Sequence, residues 1–335
     1  MTKILISFSI FFIIFITLKL LLKNLRSKFL KDHQKFAGKE SIPLIGGIVL
    51  FFFLCFNFQN FDQNFLYFSF VILLIGVMSD NDILEAPKIR LILQTLVLGT
   101  FVYISDVDIS DLRNDFLNNL ILNSYVRIIF ITFCFLVLIN GSNFIDGLDG
   151  LNLGYFLMIL LMILFLENSS KIIIDQDQIW TISIIILFLF IFNLFNFLYL
   201  GDSGAYLIGF LMGIVLIDVY DSNNLISPYF IALLLWYPAF ENLFSIIRKR
   251  LFKKDPLDPD NLHLHQLLFR FFKKRKRKFL NKFSNTLSSF IIISYNLFIF
   301  LISINFINHT KTLLLLIALN IITYLSSYLF FLKKN

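Results

Sequence analysis

The sequence has few cysteines and few charged residues, and both shortages narrow the class of protein. Only two cysteines occur in 335 residues, Cys55 and Cys134, and both lie inside apolar runs. They are interpreted as small hydrophobic residues, so neither a disulfide framework nor a cysteine-based metal site is expected. Charged residues make up 15% of the chain and hydrophobic residues 58%, a balance that excludes an ordinary soluble domain of this length.

Apolar runs long enough to cross a membrane occupy most of the chain, and the mean hydropathy is +0.81. We predict an all-α polytopic membrane protein, one integral membrane domain over residues 1–335, with about eleven transmembrane helices. No small-residue cleavage site follows the first run, which is therefore kept as a helix. The predicted spans are residues 4–22, 42–57, 65–78, 88–105, 125–140, 151–166, 179–197, 203–219, 226–247, 286–307 and 312–332.

Lysine and arginine fall mainly on one side of a simple alternating topology. That side carries 24 of the 29 basic residues, including thirteen in a long loop predicted over residues 248–285. The positive-inside rule makes this side cytoplasmic, with the N-terminus outside and the C-terminus in the cytoplasm. The basic run 273–278 is interpreted chiefly as an anchor to anionic lipid headgroups, so no nucleic-acid partner is expected.

Three acidic motifs lie in short gaps between apolar runs, and all three fall on the predicted cytoplasmic side. They occupy residues 79–82, 140–150 and 201–204. A carboxylate beside hydrocarbon is costly and usually has a function, and the accompanying glycines let a ligand approach the backbone. The motifs therefore indicate a metal-phosphate site at a membrane face. An ion or solute transporter is the alternative, but its acids would lie at mid-span, beside an internal repeat that is not found here.

The second motif repeats polar residues at intervals of three. On a helix such residues form a slowly drifting stripe that offers amides for hydrogen bonds and carboxylates for a metal or a ribose. A polar gap made of turn residues is the simpler interpretation. The stripe consists of Asn140, Asn143, Asp146 and Asp149, and it is interrupted by Gly147 and Gly150.

Three further segments have both a structural and a functional interpretation. The run Gly201–Gly204 could cap a helix, or its Asp202 could bind a Mg²⁺-diphosphate at a helix N-terminus. The run Pro43–Gly47 could start a helix that packs closely, with Lys39 near an anionic ligand. The pair His263 and His265 is by itself a weak signal and could be a simple surface pair; with no cysteine nearby, it does not suit a structural zinc site.

Together these motifs resemble the polyprenyl-phosphate N-acetylhexosamine-1-phosphate transferases, the membrane family of WecA and MraY, and the WecA branch more than the MraY branch. The resemblance covers roughly residues 30–270, and its most specific piece is the run 140–151. It implies that a UDP-N-acetylhexosamine gives its sugar-1-phosphate to undecaprenyl phosphate, or another polyprenyl phosphate, and releases UMP. The product would start a surface polysaccharide such as the O-antigen of lipopolysaccharide. The resemblance also implies a bacterial inner membrane, a cytoplasmic active site, Mg²⁺ (or Mn²⁺) and a homodimer.

The resemblance further implies a role for single residues. Asp202 would bind the metal ion, and Tyr199 would stack on the uracil base in a pocket formed by residues 147–149. The other catalytic residues would be Asp80, Asp149, His263 and His265. The substrate would be held by Lys39, Arg90, Asn140, Asn143, Asp146, Gly147, Leu148, Asn193 and Tyr199.

The chain departs from the family pattern in places that bear on activity. Where the family usually has two acids, this chain has Ser79-Asp80 or, in a shifted register, Asp80-Asn81, so that one carboxylate is missing unless Asp82 substitutes. Glu241 stands where aspartate is common, and Gln266 where a further histidine is common. A catalytically impaired relative that binds lipid phosphate therefore stays open, as does a scaffold. A CDP-alcohol phosphotransferase is disfavoured, because Leu151 follows Gly150 where that family's Asp-Gly-x-x-Ala-Arg signature would continue. The sequence names neither the sugar nor the polymer.

Overall fold

The computed structural model describes residues 2–21, 42–105, 107–253, 255, 260–274 and 283–335. Lys39 and most of the basic run 273–278 lie outside the described residues. The described part of the chain forms these α-helices: α1 (Thr2–Leu21), α2 (Gly46–Phe56), α3 (Gln63–Asp80), α4 (Pro87–Ile104), α5 (Asp115–Ile121), α6 (Ser124–Ile145), α7 (Leu151–Asn168), α8 (Gln176–Leu194), α9 (Gly201–Asp221), α10 (Pro228–Leu234), α11 (Trp236–Leu251), α12 (Leu264–Lys273), α13 (Ser284–Ser303) and α14 (Thr310–Lys334).

The predicted multi-pass helical architecture is confirmed. Eight of the described helices are long and apolar enough to cross a membrane, and a ninth span results if α10 and α11 count as one. Two shorter apolar helices, Ile6–Leu20 within α1 and Gly46–Phe56, coincide with the first two predicted spans. The count of eleven spans and the orientation of the termini stay predictions. Within the described ranges, strand-like pairing is limited to one parallel bridge between Leu44 and Tyr199.

Several predicted boundaries were wrong for identifiable reasons. Helix α6 continues past the predicted gap at residue 140 to Ile145, because the polar motif itself forms its last turns. The predicted span 226–247 bends by 73° between α10 and α11. The bend is stabilised by a hydrogen bond of 2.7 Å from the Tyr155 hydroxyl to the carbonyl of Leu234, which satisfies a backbone group next to the break. The predicted loop 248–285 contains helix α12.

Helices α7 and α9 form the centre of the bundle. Each buries 78% of its membrane-length window inside the protein, whereas α4 and α14 bury only 22%. Helix α9 packs against α2, α3 and α6, so residues at its N-terminus meet the ends of three other helices. Apart from the lysines near their ends, α4 and α14 expose many large apolar side chains, which suits a surface in contact with lipid.

Glycines allow α2 and α3 to approach the first turn of α9 at backbone distance. A Cβ atom on Gly76 would lie 2.2 Å from the Cα of Ser203, and one on Gly47 would lie 2.5 Å from the backbone nitrogen of Gly204. The hydrophobic effect does not drive helices together in lipid. Their association depends on close packing, which small residues at such contacts allow. Gly47 and Gly76 therefore let the polar residues near the start of α9 and the end of α3 come together.

The alternation of helix direction places all the polar motifs at one end of the bundle. Helices α3 and α6 end there, at Asp80 and Ile145, and α9 begins there at Gly201. The motifs are separated by up to about 120 residues in the chain but meet in space, as the hydrogen bond between Ser79 and Asp202 shows. Acids therefore lie at helix ends, as predicted.

We expect Gly76→Ala to lower the free energy of unfolding by about 1–3 kcal/mol, because the new methyl group would force α3 away from the backbone of α9. The matched control is Gly99→Ala on α4, whose added methyl group would have ordinary contacts of 3.8 Å or more with Thr132. That control should be neutral or slightly stabilising, since alanine favours helices over glycine. Titration of the detergent-solubilised protein with SDS measures the free energy of unfolding of both variants. Equal effects of the two substitutions would contradict the close contact.

Candidate functional site

A cavity of about 550 Å³ opens at the end of the bundle where the polar motifs meet. Its wall combines polar and charged residues with an apolar side. Eleven of the fourteen predicted site residues line it: Arg90, Asn140, Asn143, Asp146, Gly147, Leu148, Asp149, Asn193, Tyr199, Asp202 and His263. Asp80 and His265 are buried behind this wall, and Lys39 lies outside the described residues.

Asp202 lies in the first turn of α9, and both of its carboxylate oxygens accept hydrogen bonds. The Ser79 hydroxyl donates to Oδ2 at 2.5 Å, and the Asn143 amide donates to Oδ1 at 2.8 Å. Arg90 donates to the Ser79 hydroxyl at 2.5 Å, and its Nη1 is 3.7 Å from Asp202 Oδ2. Residues from α3, α4 and α6 thus orient a single carboxylate at the cavity wall.

Asp80 holds the start of α9. Its two carboxylate oxygens accept the backbone N–H groups of Asp202 at 2.8 Å and Ser203 at 3.1 Å. The residue before α9, Leu200, provides no side-chain cap, so Asp80 supplies the cap from another helix. Gly201 has a φ of +75°, and a Cβ on it would lie 2.7 Å from Asp80 Oδ2, so only glycine suits this contact.

The repeating motif divides into a helical part and a turn. Asn140 and Asn143 lie in the last turns of α6, whereas Asp146 and Asp149 follow its end. Asn140 donates to the Gln94 side chain at 3.0 Å, which fixes its amide against α4. The predicted helical stripe therefore ends after two members, because α6 stops before Asp146 and the chain turns towards α7.

The carboxylates beside the cavity disfavour one another's ionisation in the absence of a cation. Burial, together with the carboxylates of Asp202, Asp80 and Asp149, raises the pKa of Asp146 well above its usual range. Burial raises the pKa of Asp149 to about 6, although hydrogen bonds from Asn285 and Asn196 act in the opposite direction. A cluster of acids that destabilise one another's charged forms is the electrostatic setting in which a bound cation is most favourable.

The donor set fits a hard divalent ion that also binds a ligand. Within the described residues, no three His, Cys, Asp or Glu side chains are grouped so that they could hold a metal by themselves. Mg²⁺ rarely uses such a cage; it usually binds one or two carboxylates and completes its shell with water and substrate phosphates. Asp202, with Asp146 on the same wall of the cavity, provides oxygens of this kind.

A second part of the wall is built from the loops around α7 and α8. Asn193 accepts the backbone N–H of Gly150 at 2.6 Å and donates to the carbonyl of Leu198 at 3.2 Å. Tyr199 is fixed by backbone hydrogen bonds to Pro43 and Gly46, at 2.9 and 3.0 Å. The run Pro43–Gly47, which had two interpretations, therefore both precedes a closely packed helix and supports the Tyr199 wall.

His263 is held at the cavity by a buried network of charged groups. Its Nδ1 is 2.8 Å from Glu241 Oε1, and its Nε2 is 3.4 Å from Asp260 Oδ1. Glu241 also accepts the hydroxyl of Tyr324 at 2.8 Å, and Arg248 pairs with Asp260 at 2.5 Å. Residues of α11 and α14 therefore determine the position of the segment that precedes α12.

His265 is enclosed and does not reach the cavity. Its ring stacks on His263 with centroids 5.6 Å apart, and both of its nitrogens are buried without a hydrogen-bond partner among the described residues. Burial lowers its pKa to about 3, so the ring is neutral at pH 7. A Cβ on Gly147 would lie 2.6 Å from His265 Nε2. His265 therefore packs beneath the turn that carries Gly147.

Sequence reasoning did not assign a role to several residues of this site. Asn285 accepts the backbone N–H of Asp149 at 2.9 Å, and Lys249 lines the cavity over the ring of Phe144. A polar residue at the start of an apolar span was the available signal for Asn285. Nothing in the sequence pointed to Tyr324, because its partner Glu241 is 83 residues away in the chain.

The remaining side of the cavity is apolar and belongs to helices that face lipid. It lies between α4, α6 and α11, and it is lined by Leu91, Phe133, Leu136, Val137, Leu243 and Ile246. Phe133 is 52% exposed, so this side of the cavity is continuous with the outer surface of the bundle. A molecule with a charged head and a long apolar tail would match such an opening.

Comparison with known proteins finds a family model and several relatives that match this chain. The family model described as "Glycosyl transferase family 4" matches residues 63–220, which include Asp80, the run 140–150 and Asp202. The chain is 26% identical over 239 residues to the undecaprenyl-phosphate alpha-N-acetylglucosaminyl 1-phosphate transferase of Thermotoga maritima, covering 71% of this chain and 72% of that protein. It is 27% identical over 263 residues to the protein of the same name from Escherichia coli strain K12, covering 73% and 68%.

A third relative has a higher sequence identity over a shorter region. It is the "probable undecaprenyl-phosphate N-acetylglucosaminyl 1-phosphate transferase" of Bacillus subtilis strain 168, 33% identical over 138 residues, which cover 39% of this chain and 37% of that protein. The family match includes the helices that carry the Asp202 cluster, whereas the His263 segment lies beyond it. Its motifs, its helical fold and these matches show that the chain is similar to glycosyl transferase family 4 over residues 63–220.

Proposed function

We propose that the protein transfers a sugar-1-phosphate from a UDP-N-acetylhexosamine to polyprenyl phosphate and releases UMP. UDP-N-acetylglucosamine is the first candidate donor, because the relatives from three bacteria are named for N-acetylglucosaminyl transfer. The observation that carries the proposal is the position of Asp202: an oriented carboxylate in a cavity with a polar wall and an apolar side that opens to lipid.

The reaction requires little covalent chemistry from the protein itself. An oxygen of the polyprenyl phosphate attacks the β-phosphorus of the nucleotide sugar and forms a new P–O–P linkage. The bond from that phosphorus to the bridging oxygen breaks, and UMP leaves with the oxygen and the electron pair. A phosphate monoester has a second pKa of about 6, so the acceptor is largely a dianion at pH 7. It therefore needs no strong base to deprotonate it before it attacks. Positioning and charge neutralisation therefore dominate catalysis.

The cavity offers separate surfaces for the two substrates. The nucleotide would lie against the Asn193 and Tyr199 wall and the turn 147–149, which are polar and held by backbone hydrogen bonds. The apolar tail of the acceptor would leave between α4, α6 and α11, where the wall is hydrophobic. Arg90 and Lys249 also line the cavity, and their charges would attract the anionic head groups.

Asp202 would hold Mg²⁺, with Asp146 on the same wall as a further oxygen donor. When bound, the ion would neutralise charge on the phosphates and bring the two anions together. Asn143 and Ser79 would keep the Asp202 carboxylate oriented through their hydrogen bonds of 2.8 and 2.5 Å. Neighbouring hydrogen bonds of this kind fix the geometry of metal-binding carboxylates.

We place the reaction on the cytoplasmic face of a bacterial inner membrane. The cavity lies at the helix ends where the chain concentrates its lysine and arginine, which the positive-inside rule assigns to the cytoplasm. UDP-sugars are large charged molecules, so a site facing the cytoplasm can take them up without membrane transport. The lipid-linked product would start a cell-surface polysaccharide such as O-antigen.

Release of UMP by the purified protein tests the proposal. The protein in detergent is incubated with polyprenyl phosphate, Mg²⁺ and each of several UDP-N-acetylhexosamines. We expect UMP only when lipid, metal and one favoured sugar are present together. UMP without lipid would indicate a hydrolase, and no UMP with any donor from folded protein would contradict the transferase activity.

We expect Asp202→Asn to reduce Mg²⁺-dependent turnover by at least about 1,000-fold, because a metal ion contributes several kcal/mol to stabilising charge on the phosphates. UMP release measures the effect, and thermal unfolding checks that the variant is folded. The matched control is Asp62→Asn, the same change at an exposed residue that caps the opposite end of α3. Normal turnover in Asp202→Asn would remove the proposed metal site.

The His263 network gives a further prediction. Tyr324→Phe removes the hydroxyl that donates to Glu241, so we expect kcat/KM for the nucleotide sugar to fall about tenfold, the value of one hydrogen bond to a charged group. Tyr295→Phe is the control. It removes a 2.6 Å hydrogen bond from Tyr295, on α13, to Asn320, which lies on α14 as Tyr324 does. Steady-state kinetics compare the two. Similar losses would mean that only general packing is affected.

A further inference from the structure

The pair Ser79-Asp80 stands where the resemblance implies two acids, and its contacts differ from those of an acid pair. Both residues are almost fully buried, at 1% and 5% exposure. Ser79 contacts the Asp202 side chain, and Asp80 contacts the Asp202 backbone. Neither residue lines the cavity, whereas Asp202 does.

The Ser79 hydroxyl makes two hydrogen bonds that an ionised carboxylate could not both make. It accepts a hydrogen bond from Arg90 and donates one to Asp202, each at 2.5 Å. A carboxylate in its ionised form only accepts, so an acid at this position would face Asp202 without donating to it. The hydroxyl therefore lets Arg90 come within 3.7 Å of Asp202 without adding a further negative charge to an already acidic site.

The Asp80 carboxylate is committed to the backbone of α9. One oxygen accepts the N–H of Asp202 and the other that of Ser203. Gly201 lines the cavity and packs directly on this carboxylate, with a Cβ position only 2.7 Å from Oδ2. Asp80 is therefore covered by the start of α9 on the side of the cavity.

We infer that Ser79 and Asp80 are positioning residues that together hold Asp202 in its metal-binding orientation, Ser79 through the side chain and Asp80 through the backbone. This inference rests on the proposed function. It assigns no direct contact with the reacting phosphates to Asp80. It also implies that the chain is a working enzyme although one carboxylate of the family pair is absent.

The first experiment measures Mn²⁺ binding to the purified full-length protein by electron paramagnetic resonance, which reports free Mn²⁺ without any turnover. We expect Ser79→Ala to weaken binding by about 10–100-fold, the usual effect of removing a hydrogen bond to a metal ligand. Ser79→Thr keeps a hydroxyl and should bind within a few-fold of the wild-type protein. The Mg²⁺ concentration for half-maximal UMP release should rise clearly in Ser79→Ala and only slightly in Ser79→Thr.

The matched control for Ser79→Ala is Ser69→Ala. Ser69 lies on the same helix and is also fully buried, and in the part of the chain that the structure describes its hydroxyl has no hydrogen-bond partner. The control should leave Mn²⁺ affinity and the Mg²⁺ requirement unchanged. Wild-type affinity in Ser79→Ala, or equal losses in both alanine variants, would overturn the role of Ser79.

Asp80→Asn separates positioning from direct chemistry. The amide keeps an oxygen that can accept one of the two backbone N–H groups, so we expect weaker Mn²⁺ binding and measurable turnover at saturating Mg²⁺. A variant that binds Mn²⁺ normally but has lost all turnover would show that Asp80 takes part in the reaction directly. If the variant does not fold, as judged by size-exclusion chromatography, the Ser79 series still decides the inference.

Different results would contradict the proposed transferase activity and the positioning role of Ser79 and Asp80. A wild-type protein that binds Mn²⁺ but releases no UMP would contradict the proposed function while the Ser79 series still tests the positioning role. A wild-type protein that releases UMP but takes up no Mn²⁺ would remove Asp202 as a metal ligand, and the positioning role with it.

Discussion

The arrangement of this site depends on one interaction, the hydrogen bonds from the first backbone N–H groups of α9 to the Asp80 carboxylate on α3. These groups have no partner within α9, and in the bundle they are buried away from water. The carboxylate satisfies them and complements the positive end of the helix dipole. Because Asp202 is the residue that donates the first of these bonds, the same interaction decides where its side chain lies.

The close packing around this point follows from the small residues beside it. Gly47 and Gly76 let α2 and α3 reach the backbone of α9, and Gly201 lets the chain turn over Asp80. Helix ends from distant parts of the sequence then meet at one face. One amide, one hydroxyl and one arginine contact Asp202, so its charge is oriented and partly balanced before any ligand arrives. The cost of placing acids near hydrocarbon is offset by these partners.

The second half of the site is built by residues beyond the region that the family model matches. Glu241 and Arg248 on α11 position the segment that carries His263, and Tyr324 on α14 supports Glu241. The last helix thus contributes to a site whose most recognisable motifs lie more than a hundred residues earlier. This division separates the Asp202 cluster on α3, α6 and α9 from the His263 segment that precedes α12.

The amino-acid sequence by itself determined the helical membrane class and the shared face of the polar motifs, because hydropathy, charge bias and motif spacing are local properties. Eleven of the residues that line the cavity were also predicted, several of them only through the family resemblance. The sequence could not decide that α6 continues to Ile145, or that Asp80 and His265 lie behind the wall while Asp202 and His263 lie on it. Those outcomes depend on contacts between helices, such as Gly147 against His265 and Gly201 against Asp80. Only the tertiary structure decides them, because the side on which a residue is buried is set by its neighbours in space, not by its neighbours in the chain.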